Sequence, residues 1–518
     1  MRGACRHGNR RSVCMASRPG PVVAVSHRVR RIGEPQDRGR PQADNTHGGM
    51  QMKYLALTLI SLAAAPALAA NTLVGFAELA ADTFAPGPTS GQFQSPANGV
   101  VPPYIDKQSV QGFSAVLQGP VAGSFYVMPD NGFGNKANSV DYLLRMYAVA
   151  PDFRTATGGS GVVRAADYTS GAVRSSFDSS SYITLRDPDH KLGFSLVASG
   201  SNYPYSGSGA GSAAIPVDSS IRNGRLLTGG DLDIESVRRD KNGNLWFGEE
   251  FGPFLIKTDA TGKVLKQEVS LPNSLGIGSN PLVQSPQNPY LGPNGNNLRG
   301  SNGFEGMAIN PAGDKLYTLL EGPIIQDPNQ KRLIINEFSI DSESYTGKTF
   351  GYRLDPAGTN IGDMTAINDH EFLVIERNGI QGTSPNAADM FKRIYKIDLN
   401  KVDADGFAEK TLVVDLLNIA DPNDLNRDGK TTFDFPFVTI EDVLILDANT
   451  LLVINDNNYP GNGGRTLLGP DSTEFIKIHL DTALNVAAVP EPETYALMLA
   501  GLAGVGLAAR RRRPHAQR

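Results

Sequence analysis

The feature that most constrains the fold is a unit that recurs through the middle of the chain. It opens on an acidic or small residue, runs through an apolar strand, turns on Gly, Asp or Asn, and returns as a second apolar strand ending in an acid. Asp233-Ile-Glu235-Ser-Val leads through Asp240-Lys-Asn-Gly243 to Leu245-Trp-Phe-Gly-Glu249. Phe304-Glu305-Gly leads through Asn310-Pro-Ala-Gly-Asp314 to Glu321, and Asp363-Met-Thr leads through Asn368-Asp-His370 to Glu376. Ile440-Glu441-Asp442 leads through Asp447-Ala-Asn449 to Asp456, and Gly112-Phe-Ser114 leads through Gly119-Pro120 to Asp130. Each unit reads as a hairpin of two buried strands, and several show a third strand, as at Phe254–Asp259 and Arg393–Asp398.

Residues 71–485 show no helical periodicity of useful length. Five similar hairpins predict an all-β fold, a β-propeller. A β-sandwich would account for the strands but not for the repeated acids. The units start near 113, 234, 304, 363 and 441, so successive gaps are 121, 70, 59 and 78 residues. These exceed the roughly 40–50 residues of compact blades, so loops are inserted. The longest gap leaves room for a further blade near Tyr182–Ala198, which makes six blades the expectation, with five or seven open. The strand at Thr72–Leu79 is expected to complete the last blade and close the ring.

Residues 71–489 carry 32 Lys and Arg against 48 Asp and Glu, a net charge of −16. Such a domain repels phosphate backbones, which argues against nucleic acid as a partner, and suits cations. Both cysteines, Cys5 and Cys14, precede it, so thiolate metal sites, disulfides and cysteine nucleophiles are excluded there. Its histidines are His190, His370 and His479, and no Gly-x-Ser-x-Gly elbow is present, so serine-hydrolase chemistry has little support.

In a propeller the first strand of each blade lines the central channel. The repeated starts would place Ser114, Asp233, Glu235, Glu305, Asp363, Glu441 and Asp442 around one opening. Like charges so gathered raise one another's pKa, and a bound divalent cation is the simplest compensation. Oxygen-only ligands point to calcium, with magnesium second. The alternative is that these acids cap turns. A second calcium candidate is the loop Asp424-Leu-Asn426-Arg-Asp428-Gly429, with oxygens at positions 1, 3 and 5, although Phe435 stands where a bidentate Glu would close an EF-hand.

The two ends read as addresses. Met52-Lys53, an apolar run to Leu62 and Ala67-Leu-Ala69 form a secretory signal over 52–69, with cleavage expected after Ala69. Because such a signal works at a chain's beginning, the start is expected at Met50 or Met52, with residues 1–51 a wrongly included extension. At the other end, Pro490-Glu491-Pro492, an apolar run from Tyr495 to Ala509 and Arg510–Arg513 closely resemble the PEP-CTERM sorting signal. The resemblance implies exosortase as a partner during export, with transient insertion of the apolar helix in the inner membrane. A retained anchor is the alternative. Either way the domain is expected in the periplasm, at the cell surface or in the extracellular matrix.

Gly112–Gly134, Gly229–Phe251, Asn302–Gly322 and Asp424–Asn457 together resemble the phytase-like family, named for esterase-like activity of phytase, across residues 72–485. The resemblance implies hydrolysis of phosphate or related esters. It points to Asp130, Glu235, Glu249, Glu305, Glu321, Glu441 and Asp456. Glu235, Glu305 and Glu441 are the catalytic candidates, and Asp130, Asp233, Glu249, Glu321 and Asp456 the metal candidates beside the 424–428 loop. Substrate phosphate would need basic partners, for which Arg145, Arg238, Lys257, Arg377 and Arg465 are available. Two other readings stay open: a lactonase-like sugar-ester hydrolase, and a non-catalytic calcium-stabilised propeller binding polysaccharide or a protein.

Overall fold

A computed structural model describes residues 71–206 and 214–487. The expected signal segment 52–69 with Ala69, the extension before it and the sorting segment 489–513 lie outside the described residues. Among the described residues no helix is long and apolar enough to cross a membrane.

The described residues form a β-propeller: three separate four-stranded antiparallel sheets and one larger sheet in which the first and last blades are joined through a parallel pairing of Glu78 with Val162. The first blade contains Phe113–Gln118, Phe125–Pro129, Arg145–Asp152 and Val162–Ala165. The second contains Ile234–Arg239, Leu245–Glu249, Phe254–Thr258 and Val269–Ser270. The third runs Phe304–Ile309, Lys315–Leu320, Arg332–Ser339 and Ser344–Arg353, and the fourth Asn360–Ala366, Glu371–Arg377, Lys392–Val402 and Ala408–Asp415. The fifth takes Thr439–Asp447, Thr450–Asp456 and Thr473–His479 from one end of the domain and its outermost strand, Thr72–Leu79, from the other. The five innermost strands touch in cyclic order, the first blade against both the second and the fifth.

Five is one fewer than the six that the spacing suggests and within the range it leaves open. The stretch assigned to an extra blade contributes only Tyr182–Thr184, which pairs onto Arg145–Asp152 at the edge of the first blade. The rest of that interval makes loops, a short helix at Ser219–Gly224 and a ribbon of Asn202–Ser206 with Ala214–Pro216.

Turn chemistry shapes the hairpins. In the second blade Gly243 adopts φ +85°, and Asp240 accepts from Asn242 N, Asn244 N and Trp246 Nε1. In the third blade Asn310 accepts from Asp314 N and Lys315 N ahead of the second strand.

Each pair of adjacent blades encloses its own apolar core. Met128 and Met146 meet Ile234 and Phe247 between the first and second blades, and Trp246 and Leu255 meet Phe304 and Phe338 between the second and third. Tyr317 and Leu319 meet Met364 and Phe372 between the third and fourth, and Ile375 and Ile394 meet Ile440 and Val453 between the fourth and fifth. Ring closure buries Phe113 and Val127 of the first blade against Ile454 and Phe475 of the fifth. Long loops cover one mouth of the channel, where Tyr104, Phe133, Tyr142 and Tyr459 pack together.

Removing Thr72–Leu79 leaves Thr473–His479 as a bare edge and strips apolar cover from the closing core. The deletion is expected to lower and broaden the thermal transition. A peptide of residues 71–80 added in trans should restore it by strand addition, as followed by circular dichroism.

Candidate functional site

Every innermost strand carries a β-bulge at the same point of its hairpin. The inserted residue is Ser114 in the first blade, Glu235 in the second, Glu305 in the third and Glu441 in the fifth. In the fourth blade the insertion falls between Ile361 and Met364. A bulge leaves the extra residue unpaired and re-aims its side chain. Repeated around a ring, it turns one residue per blade toward the axis. Each second strand contributes too: one position beyond the partners of Phe113, Ile234, Phe304, Ile361 and Ile440 stand Asp130, Glu250, Glu321, Arg377 and Asp456.

The fourth blade breaks the acidic pattern. Its bulge holds Gly362, where a Cβ would lie 1.9 Å from the Ile440 carbonyl oxygen, and its second strand supplies Arg377 instead of an acid. Arg377 Nη2 donates to Glu441 Oε1 at 2.9 Å, Glu305 Oε1 at 3.1 Å and Glu321 Oε1 at 3.3 Å. Burial works against the guanidinium charge, but Glu441, Glu305 and Glu321 outweigh it and hold its pKa above the ordinary value. Ser114 Oγ donates to the second oxygen of Glu441, and Asn302 and Asn360 donate to Glu321. The half of the channel formed by the third, fourth and fifth blades thus carries its own cation.

The other half does not. Asp130, Asp233 and Glu235 place carboxylate oxygens within 4.8 Å of one another, among the described residues the one such group of three. Asp233 is buried and its Oδ1 has no hydrogen-bond partner. Burial pushes Asp233 up to about 6, and burial with the charges of Asp456 and Asp233 holds Asp130 well above the carboxylate range. Glu235 is raised by burial and by Asp233, Glu305 and Glu441. Gly112, at φ +72°, lets the backbone approach: a Cβ there would sit 3.1 Å from Asp456 Oδ1 and 3.5 Å from Asp130 Oδ1. A cavity of about 260 Å³ opens above these two acids, walled by Phe133, Tyr459 and Pro460. Close, oxygen-only and partly unsatisfied, the donor set fits a hard divalent cation.

Below this ring, Arg238 pairs with Asp363 at 2.9 Å, and the second Asp363 oxygen accepts from Val443 N. Asp363, read from sequence as part of the opening, therefore sits a step deeper. Asp442 is fully buried with neither carboxylate oxygen partnered. Burial, then Asp363 and Glu441, holds it well above the ordinary range.

The other candidates divide clearly. Glu249 spends both oxygens on the backbone N–H groups of Phe251 and Gly252, and burial pushes it up to about 8, while its neighbour Glu250 occupies the ring position. Sequence reasoning missed Glu250 because two adjacent acids end that strand and only the pairing register chooses between them. Among the basic candidates, only Arg377 joins the carboxylate ring. Arg145 donates to the Pro86 carbonyl and lies over Tyr182, and Lys257 pairs with Glu343 over Trp246. Arg465 pairs with Glu474 and Asp434. In the 424–429 loop, at the outer edge of the fifth blade, Asp424 accepts from Gly429 N, Asn426 from Asp428 N, and Asp428 pairs with Lys430.

With this geometry in view, comparison with known proteins decides the family. The model of the family described as "Esterase-like activity of phytase" matches residues 108–459. The chain belongs to that phytase-like family. The PEP-CTERM protein-sorting motif matches residues 488–513, which marks this family member for export and for handling by an exosortase. An uncharacterized secreted protein of Arthroderma benhamiae is 25% identical over 199 residues, 32% of this chain and 37% of that protein, so the phytase-like chain spans little more than a third of its curated relative. Among solved structures, a luciferin-regenerating enzyme aligns over 82% of this chain and 98% of its own at 11% identity and TM-score 0.30. Regucalcin from Agrobacterium tumefaciens aligns over 73% and 93% at 10% identity and TM-score 0.31. A GH43 β-1,3-galactosidase aligns over 75% and 94% at 11% identity and TM-score 0.32. At these scores the likenesses carry no argument about the site.

Two outcomes follow. Arg377→Met leaves Glu305, Glu321 and Glu441 without a counter-charge and is expected to cost about 3–5 kcal/mol in urea unfolding at neutral pH. The loss should shrink as the pH is lowered, because burial and neighbouring acids hold Glu305 well above the ordinary carboxylate range and burial raises Glu321. Separately, carboxyls whose folded pKa is raised favour the folded state below their unfolded values near 4 and lose that contribution as pH rises through about 6 for Asp233 and about 8 for Glu249. In EDTA the melting temperature should therefore fall between about pH 5 and pH 8, and excess calcium should reverse the trend.

Proposed function

We propose that the chain is an exported, metal-assisted ester hydrolase acting at the loop-covered mouth of the propeller channel. The observation that carries this reading is the Asp130, Asp233 and Glu235 triad beside a cavity that Asp130 and Asp456 share. Membership of a family named for esterase-like activity supports it.

Asp130, Asp233 and Glu235 would hold one divalent cation, calcium first and magnesium second. When bound, the cation supplies Lewis acidity that polarises an ester oxygen. Asp456 faces the same cavity and accepts from Asn458 N through Oδ1. Burial and the Glu441 charge hold its pKa well above the ordinary value, which suits a carboxyl that holds a proton and delivers it to a leaving oxygen. Arg377 donates to Glu305 and Glu441 and fixes them in place, so these two act as supports of the ring, while Glu235 stands among the residues that would hold the cation. Phe133 and Tyr459 wall the same cavity.

The test is to assay residues 70–489 for release of 4-nitrophenol from acyl and phosphate esters, with calcium and with EDTA. Calcium-dependent turnover is expected, reduced at least about 100-fold by Asp233→Asn and by Asp456→Asn. No turnover by a folded, calcium-stabilised protein would overturn the reading in favour of a binding propeller.

A further inference from the structure

We propose that the site takes a neutral carboxylic ester, such as a lactone or sugar ester, and rejects the phosphomonoester dianion; this rests on the hydrolase reading above.

No described residue lining the 260 Å³ cavity is Lys or Arg. Its polar side chains beyond the two acids are uncharged: Tyr459, Gln94, which accepts from the Tyr104 hydroxyl, and Asn98 and Asn458, which donate to the Pro460 carbonyl and to Thr439 Oγ1. Arg377, whose Nη2 serves three glutamates, offers a phosphate no free charge. Arg238 is committed to Asp363 and to the Met364 carbonyl a layer deeper. Lys136, the cation nearest in sequence to the Asn131–Gly134 loop, lies over the Phe251 ring and is not part of the lining.

One divalent cation facing three ionised carboxylates leaves the mouth with a charge of −1, before Asp456 and Glu250 are considered. A phosphomonoester would add two negative charges to a region already negative, with no guanidinium or ammonium to receive them. A neutral ester meets no such penalty. The Phe133 and Tyr459 rings in the wall suit an uncharged cyclic or acyl compound.

The chemistry closes without a further reactant. A water oxygen bonds to the acyl carbon, the bond from that carbon to the alkoxy oxygen breaks, and the alkoxy oxygen takes up a proton. A lactone yields a hydroxy acid, and a sugar ester yields an acid and an alcohol.

The experiment has a rate arm and a binding arm, both with calcium and the domain of residues 70–489. In the rate arm, kcat/KM for 4-nitrophenyl acetate should exceed that for 4-nitrophenyl phosphate at least about 100-fold, as 2.7 kcal/mol of discrimination implies. In the binding arm, δ-valerolactam, an inert lactone mimic, should raise the melting temperature and phenylphosphonate should not. Gln94→Lys, which places a cation at the rim, should bring phosphonate binding up about tenfold. Phosphate ester turned over as fast as acetate, a phosphonate shift equal to or above the lactam shift, or no lactam shift would each overturn the proposal. If neither ester is hydrolysed, the hydrolase reading falls while the two melting shifts still decide which chemistry the pocket accepts.

Discussion

Like charge confined to a poorly hydrated channel is the condition around which this molecule is organised. Ionised carboxylates cannot be crowded away from water unless something of opposite sign joins them or protons neutralise them. The propeller uses different solutions in different places. Arg377 supplies an internal cation to Glu305, Glu321 and Glu441. Arg238 does the same for Asp363, and burial holds the carboxyl of Asp442 beside them well above the ordinary range. Asp130, Asp233 and Glu235 are left without a protein cation. That asymmetry is what singles out Asp130, Asp233 and Glu235 from the rest of the acidic ring.

The asymmetry has a backbone origin. Five bulges in register would give five equivalent positions, and four of them carry Ser or Glu. The fourth blade cannot carry a side chain at Gly362, because the Ile440 carbonyl oxygen occupies the space. A gap opens in the ring there, and the long side chain of Arg377 from the neighbouring strand fills it. One glycine and one arginine in a single hairpin decide which half of the channel is closed by the protein itself.

Much of this was legible in the residues. The acids at the strand starts announce Glu235, Glu305 and Glu441, since only a repeated bulge or turn explains an acid at the same place in unrelated apolar runs. Asp130, Glu321 and Asp456 were equally visible as the acids that end second strands. What was not legible depends on register and on long-range packing. Glu249 and Glu250 are chemically the same until pairing with Ile234 assigns one to a turn and the other to the channel. Arg377 is one of many scattered basic residues, and nothing local distinguishes it from Lys257 or Arg145. The sixth blade was suggested by loop length, and loop length reports insertions as readily as it reports strands. Tyr182–Thr184 shows how a strand-like segment can instead serve as trim on an existing sheet.

Ring closure has a consequence for how such a chain comes into being. The Ser114 hydroxyl and the Glu441 carboxylate it supports are 327 residues apart, and the strand at Thr72–Leu79 has its partner in Thr473–His479. The segment made early is thus among the last to be paired, and it must wait, with its hydrogen-bonding edge bare, until almost the whole domain has been made. No fragment short of the full ring brings Asp130, Asp233 and Asp456 to one mouth. Assembly therefore acts as a safeguard: a half-made molecule has every acid it needs and no place at which they meet.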